Sequence, residues 1–356
     1  MSEHANPVDV AVVGVGRMGR HHARIYHQLP QTRLAAVVDT DLERAREIAD
    51  QYGCDACDSV DALRAKHPSV TAVSIAVPTR HHLAAARALL PHRIACLIEK
   101  PLAATTDECH QLVALAREHN ATLQVGHTER FNPAVRAVAA MNITPRFLEV
   151  NRISPMTFRS LDVGVVMDMM IHDLDIVLTL ADAPIARIDA AGVAVFGEKE
   201  DVANARLVFE TGCVANLTAS RLALKTERKL RCFSESAYVS LDYQKRDGLV
   251  IRSSDNAAAL QQVRQQLAEG KDLSELDYSS LVQVSELSMD LPDGEDDPLT
   301  AELKSFVNAA QTGSVPVVGA EAGLAAVDAA ERVVAAIAAH QWEGLEASGL
   351  KLDGEK

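Results

Sequence analysis

Val8-Asp9-Val10-Ala11-Val12-Val13-Gly14-Val15-Gly16-Arg17-Met18-Gly19 is the stretch that decides the fold. An apolar strand runs into G-x-G-x-x-G, and a helix-forming segment follows. Gly14 suits the tight turn out of the strand, Gly16 lets backbone approach a pyrophosphate, and Gly19 lets the helix pack close on the sheet. Arg17 and Met18 open that helix, whose positive end faces the phosphates. A second apolar strand, 34–38, ends in Asp39, about twenty residues on, where a carboxylate accepts hydrogen bonds from a ribose diol. The same carboxylate repels a 2′-phosphate, so NAD is the expected cofactor and NADP the less favoured one, although Arg44 stands one turn further on. The competing reading makes Asp39 a cap for the helix that opens at Asp41-Leu42-Glu43.

Outward from this unit, strands near 8–13, 34–38, 70–77, 94–98 and 121–125 alternate with helices near 17–29, 41–51, 80–90 and 106–118. A further strand is expected to enter near Cys54-Asp55-Ala56-Cys57. Such alternation predicts an α/β Rossmann domain, a doubly wound parallel sheet covered on both faces. After residue 126 the rhythm changes. Helices near 131–140 and 165–180 bracket one strand, and alternating segments between 185 and 252 predict an α+β domain with an open-faced, mostly antiparallel sheet. Residues 255–297 read as an acidic surface excursion broken by one short helix near 257–268, and helices near 298–311 and 320–340 close the chain. The expected division is therefore 1–125 for the NAD-binding domain and 126–356 for substrate binding and oligomerisation, C-terminal helices included.

At 356 residues two cores are expected, and the net charge of −14 argues against nucleic acid or an anionic membrane as partner. Met1-Ser2-Glu3-His4-Ala5-Asn6-Pro7 lacks the features of a signal peptide, so a cytoplasmic protein is expected. The six cysteines show no disulfide framework, and the C-x-x-C at Cys54 and Cys57 has no second pair for zinc.

Ligands of open parallel sheets bind beyond the carboxyl ends of the strands. Three sets of residues fall there: Val77-Pro78-Thr79-Arg80-His81-His82, then Glu99-Lys100-Pro101, then Gly126-His127-Thr128-Glu129-Arg130-Phe131-Asn132-Pro133. Lys100 ends an apolar strand, so its ammonium must face a cleft or snorkel to the surface. In a cleft beside a nicotinamide its pKa would fall and it would serve as acid, base or donor, with Glu99 as its expected partner. Asp168 and His172, four apart in a helical stretch, are expected to share one face, the carboxylate orienting an imidazole that abstracts a hydroxyl proton. No third and fourth ligand with clear spacing accompany them, so no metal is expected.

The glycine motif, Glu99-Lys100-Pro101 and Asp168-x-x-x-His172 together resemble the Gfo/Idh/MocA oxidoreductases, as does Gly319-x-Glu321-x-Gly323-Leu324. The resemblance implies NAD(P) in the first domain, a sugar or polyol between the two, Lys100, Asp168 and His172 as the catalytic group, and a cis peptide before Pro101. Within the family, Val125–Pro133, the run from Arg159 to Asp173 and Ala237–Tyr243 resemble members that oxidise C3 of UDP-N-acetylglucosamine in lipid A or surface-sugar biosynthesis. On that reading Gly14, Gly16, Arg17, Met18, Gly19, Asp39, Pro78, Thr79, His82, Glu99, Lys100 and His127 bind the cofactor. Arg130, Asn132, Arg152, Arg159 and His172 bind the substrate, the arginines as diphosphate clamps. A downstream aminotransferase is an implied partner, and a homodimer or homotetramer the implied assembly. Competing readings are an inositol or monosaccharide dehydrogenase of the same family and a non-catalytic NAD-binding redox sensor.

Overall fold

The computed structural model describes residues 7–157, 162–253, 257–272, 282–287 and 297–342. The first unit contains β1 (Val8–Val13), α1 (Arg17–Gln28), β2 (Thr32–Val38), α2 (Leu42–Tyr52), β3 (Asp55–Cys57), α3 (Val60–Lys66), β4 (Ala72–Ile75), α4 (His82–Arg87), β5 (Ala95–Glu99), α5 (Thr106–His119) and β6 (Leu123–Gly126). Its strands run parallel in the order β3-β2-β1-β4-β5-β6. The order reverses between β1 and β4, which opens a crevice beyond their carboxyl ends. Every residue of β1 and β5 is buried, as continuous apolar strands under two helical layers must be.

The second unit adds α6 (Pro133–Ala140), β7 (Phe147–Ile153), α7 (Ile171–Ala181), β8 (Ile185–Val193), β9 (Val202–Phe209), β10 (Val214–Ser220), β11 (Glu227–Phe233), β12 (Ala237–Asp242), β13 (Asp247–Ser253), α8 (Ala257–Ala268) and β14 (Val282–Glu286). The chain closes with α9 (Pro298–Thr312) and α10 (Ala320–Ala339). The strand order is β14-β13-β12-β11-β7-β10-β9-β8, antiparallel except for β7 beside β10. Alternation is visible in β10, where Ala215, Leu217 and Ala219 point into the core while the intervening residues stay partly exposed.

Two features depart from the sequence reading. The excursion 255–297 contributes β14, which pairs with β13 through Leu249–Ser253. The C-terminal helices, placed with residues 126–356, are shared between the units: Leu303, Phe306 and Val307 of α9 join the core around β1, α1 and β2. Among the described residues no helix is long and apolar enough to cross a membrane.

Candidate active site

The glycine turn behaves as its spacing predicts. Gly14 has φ +86°, and a Cβ there would meet Val77 N at 2.8 Å. A Cβ on Gly19 would lie 1.8 Å from Gly14 O, which only hydrogen tolerates. A Cβ on Gly16 would find no atom within 4 Å, because that position faces an open cleft. Among the described residues no side chain caps the N-terminus of α1, so its first amides remain available to an anion. Asp39 is not a helix cap, since Asp41 caps α2 by accepting from Arg44 N. Instead Asp39 accepts from Val15 N and Asp41 N, each at 3.0 Å, and pairs with Arg44 at 3.1 Å.

These groups line a cavity of ≈ 770 Å³ together with Pro78, Thr79, His81 and His82. The buried His82 ring lies between Val77 O and Pro101 O, both at 3.0 Å, and so ties the β4 and β5 ends together. The open space at Gly16, the uncapped helix and the carboxylate at the end of β2 fit an extended dinucleotide. Cys54 belongs to neither site, and burial pushes its thiol up to about 11, which makes it unreactive.

A second cavity, of ≈ 300 Å³, shares Arg17, Met18, Glu99 and Lys100 with the first. Its opposite wall carries Asp168 and His172. The two halves of the chain meet at Lys100, whose Nζ donates to Asp168 O at 2.8 Å and stands 3.5 Å from Asp168 Oδ1. The Lys100–Pro101 peptide is cis, as the resemblance implied. Burial lowers the Lys100 pKa, while Asp168 and Glu99 oppose the shift.

The expected pairings inside this group are different in the fold. Glu99 does not hold Lys100 by a hydrogen bond; its Oε1 stands 2.9 Å from His22 Nε2 on α1. Burial disfavours the Glu99 charge, yet His22 and Lys100 hold its pKa below the usual carboxylate range. Nor does Asp168 orient His172. Asp168 and His172 do line the same cavity, as their spacing predicts, across a π-helical turn at Val166–Met170, but no hydrogen bond joins them. Asp168 instead reaches Lys100, while His172 opens α7 proper. Its Nδ1 is sealed inside with no hydrogen-bond partner among the described residues, which leaves Nε2 for the cavity. Burial and the neighbouring cations Lys100 and Arg152 push the His172 pKa well below the usual value, so the imidazole is a neutral acceptor.

Of the expected substrate clamps, Arg152 lines the cavity but is already engaged. It grips Asp173 bidentately at 2.7 and 2.9 Å in buried bonds and Glu129 at 3.1 Å in a partly buried one. Arg130 points elsewhere, to Asp175 at 3.4 Å, and Asn132 caps α6 by accepting from Ala134 N. Arg159 lies outside the described residues. His127 does not line the cofactor cavity; it is buried edge-on to His172, with ring centroids 6.4 Å apart. Arg228, which the sequence reading did not single out, lines the cavity half-exposed, 3.5 Å from Glu129. Its register position on β11, directly opposite Arg152 of the neighbouring β7, is the signal, and it needs the strand pairing to be seen.

The fold and this junction of two cavities mark an oxidoreductase, and the chain belongs to the Gfo/Idh/MocA family. The family's NAD-binding Rossmann profile matches residues 8–127, and its C-terminal domain profile matches 134–239. The UDP-N-acetylglucosamine 3-dehydrogenase of Acidithiobacillus ferrooxidans is 42% identical over 233 residues, 65% of this chain and 73% of that protein. A solved structure of that enzyme superposes with TM-score 0.82 and 33% identity, covering 94% of this chain and 99% of the other. Inositol 2-dehydrogenase of Rhizobium meliloti is 27% identical over 231 residues, 61% of this chain and 69% of that protein.

Proposed function

We propose that this oxidoreductase oxidises a sugar hydroxyl to a ketone with NAD, and that the substrate is UDP-N-acetylglucosamine, oxidised at C3. The observation that carries the reading is the meeting of Lys100 and His172 in one cavity that opens onto the dinucleotide cleft. The bound nicotinamide supplies the hydride acceptor. His172, neutral and presenting Nε2, takes the hydroxyl proton. Lys100 has three N–H donors, of which Asp168 engages two at most, so one is left for the substrate oxygen as its negative charge develops. Asp168 positions Lys100 and not the imidazole. Asp39 at the ribose end favours NAD over NADP, and Arg44 beside it moderates that preference. With Arg152 engaged in buried pairs, the half-exposed Arg228 and the exposed Arg17 are, among the described residues of this cavity, the arginines that would meet a diphosphate.

The cytoplasm is the proposed compartment. The outer face of the second sheet, with the Phe147–Phe233–Tyr238 ring cluster, is the surface through which a homodimer or homotetramer would form. A glutamate-dependent aminotransferase acting on the ketone is the proposed next step. The test is NADH absorbance with UDP-N-acetylglucosamine, myo-inositol and glucose, each with NAD and a keto-acid acceptor that pulls the equilibrium. Signal with the nucleotide sugar supports the reading. Signal with myo-inositol or glucose instead removes the nucleotide, and silence with all three leaves the redox-sensor alternative.

A further inference from the structure

Behind His172, on the side away from the substrate, lies a line of buried polar atoms that the chemistry above does not use. His172 Nδ1, both ring nitrogens of His127 and Asp175 Oδ2 are all sealed from solvent, and none has a hydrogen-bond partner among the described residues. His127 is 1% exposed and Asp175 2%. Polar atoms buried in this way cost free energy unless ordered water satisfies them. The His127 and His172 rings stand edge to face at 6.4 Å, too far for a direct N–H···N bond and near enough for one bridging water. Asp175, one helical turn beyond His172 on α7, is the opposite charge with the largest effect on His127. Asp175 also lines a separate cavity of ≈ 530 Å³ between α7 and α10, beside Arg130, Asp182 and Arg332. The buried atoms behind His172 therefore reach, at Asp175, a second cavity distinct from the substrate cavity.

We infer that His127 and Asp175, bridged by buried water, form a proton exit that relays the substrate's hydroxyl proton from His172 to the α7/α10 cavity. The inference rests on the dehydrogenase reading above. Oxidising an alcohol to a ketone with NAD releases one proton. The O–H bond breaks and its proton goes to His172 Nε2. The oxygen's electron pair closes the C=O bond as the C–H pair leaves for the nicotinamide. The imidazolium gives up its Nδ1 proton to water, His127 accepts a proton on one nitrogen and releases one from the other, and Asp175 passes it to solvent. Burial keeps both imidazoles neutral at rest, as a relay needs. The charged groups facing His127 are Asp175, Lys100, Arg130 and Glu99, and those facing His172 are Lys100, Arg152 and Arg228.

Two experiments test this. The first, a high-resolution crystal structure of the wild-type chain, needs no turnover. Ordered water between His172 Nδ1 and His127, continued toward Asp175, supports the relay, and clear density without it overturns the relay even if the enzyme is active. The second compares His127→Ala and His127→Gln in single turnovers with NAD and UDP-N-acetylglucosamine, with thermal melting and NADH binding as controls for folding. Both variants are expected to transfer hydride about tenfold more slowly, with a larger solvent isotope effect, and free imidazole is expected to restore His127→Ala. Gln fills the space and binds water but cannot cycle a proton, so a wild-type rate in His127→Gln reduces His127 to packing and overturns the proposal. A wild-type chain that oxidises no sugar defeats the dehydrogenase reading and, with it, the relay's purpose, while the crystal still decides whether the water path exists.

Discussion

The two walls of the substrate cavity hold their functional groups by different means. On the Rossmann side Lys100 is roped to Asp168 through carbonyl and carboxylate, with Glu99 adding charge behind it. On the α7 side His172 has no hydrogen bond from its inner nitrogen among the described residues, and the charges acting on it are the cations Lys100, Arg152 and Arg228. Burial disfavours the charged form of both, but anions oppose that shift only at the lysine, whose pKa stays lowered. The contrast divides the labour: the tethered group stays a donor, and the untethered one stays an acceptor.

Breaking the acceptor should cost most. His172→Gln is expected to slow hydride transfer by about 10²–10⁴-fold with NADH binding intact, measured in single turnovers. In wild type, kcat/KM should hold its plateau through the usual histidine value of about 6.5 and fall only at more acidic pH, because the base must be neutral and its pKa is depressed. An acid limb at or above that value contradicts the cation-ringed imidazole. Lys100→Met is expected to cost about 10²–10³-fold in kcat, the loss of one oxyanion donor. Asp168→Asn sharpens the comparison: the backbone carbonyl still holds Lys100, so a loss of only about tenfold is expected, with no change in the His172 limb. A shifted limb would return Asp168 to the imidazole. At the far end of the cleft, Asp39→Ser should move the NADP:NAD ratio of kcat/KM upward by about tenfold as Arg44 loses the nearer of its two carboxylates.

The smallest effect concerns stability. Glu302 is fully buried on α9, where Thr128 donates to it at 2.9 Å, and burial beside Glu99 raises its pKa well above the usual value. The folded chain therefore keeps a proton that the unfolded chain loses above about pH 4.3, so stability falls as pH rises beyond that point. Glu302→Gln should raise Tm by roughly 2–4 °C at pH 8 and by less at pH 5. An equal gain at both would show that the carboxyl is not titrating.

What was legible in the sequence is what local backbone dictates. The glycine turn, Asp39 and Lys100 sit at strand ends, where the parallel sheet itself fixes their direction, and the second sheet's strands followed from period-two alternation. Pairings set by distant chain segments were not legible. Glu99 finds His22 across 77 positions, and Arg152 is consumed by Asp173 and Glu129, so counting arginines overstated the free cations. The spacing of Asp168 and His172 did bring both to one cavity, but it did not reveal the carboxylate's partner, because Lys100 comes from 68 positions away. β14 was hidden in an acidic, irregular stretch whose only strand signal is five residues long.

The return of α9 to the flank of α1 also bears on how the chain is made. Until residues near Phe306 leave the ribosome, Tyr26, Ile25 and their neighbours lack the lid that later covers them. A nascent or proteolytically clipped N-terminal half would carry that bare greasy flank and self-associate, so the nucleotide-holding portion is not a module that can be lifted out and grafted elsewhere.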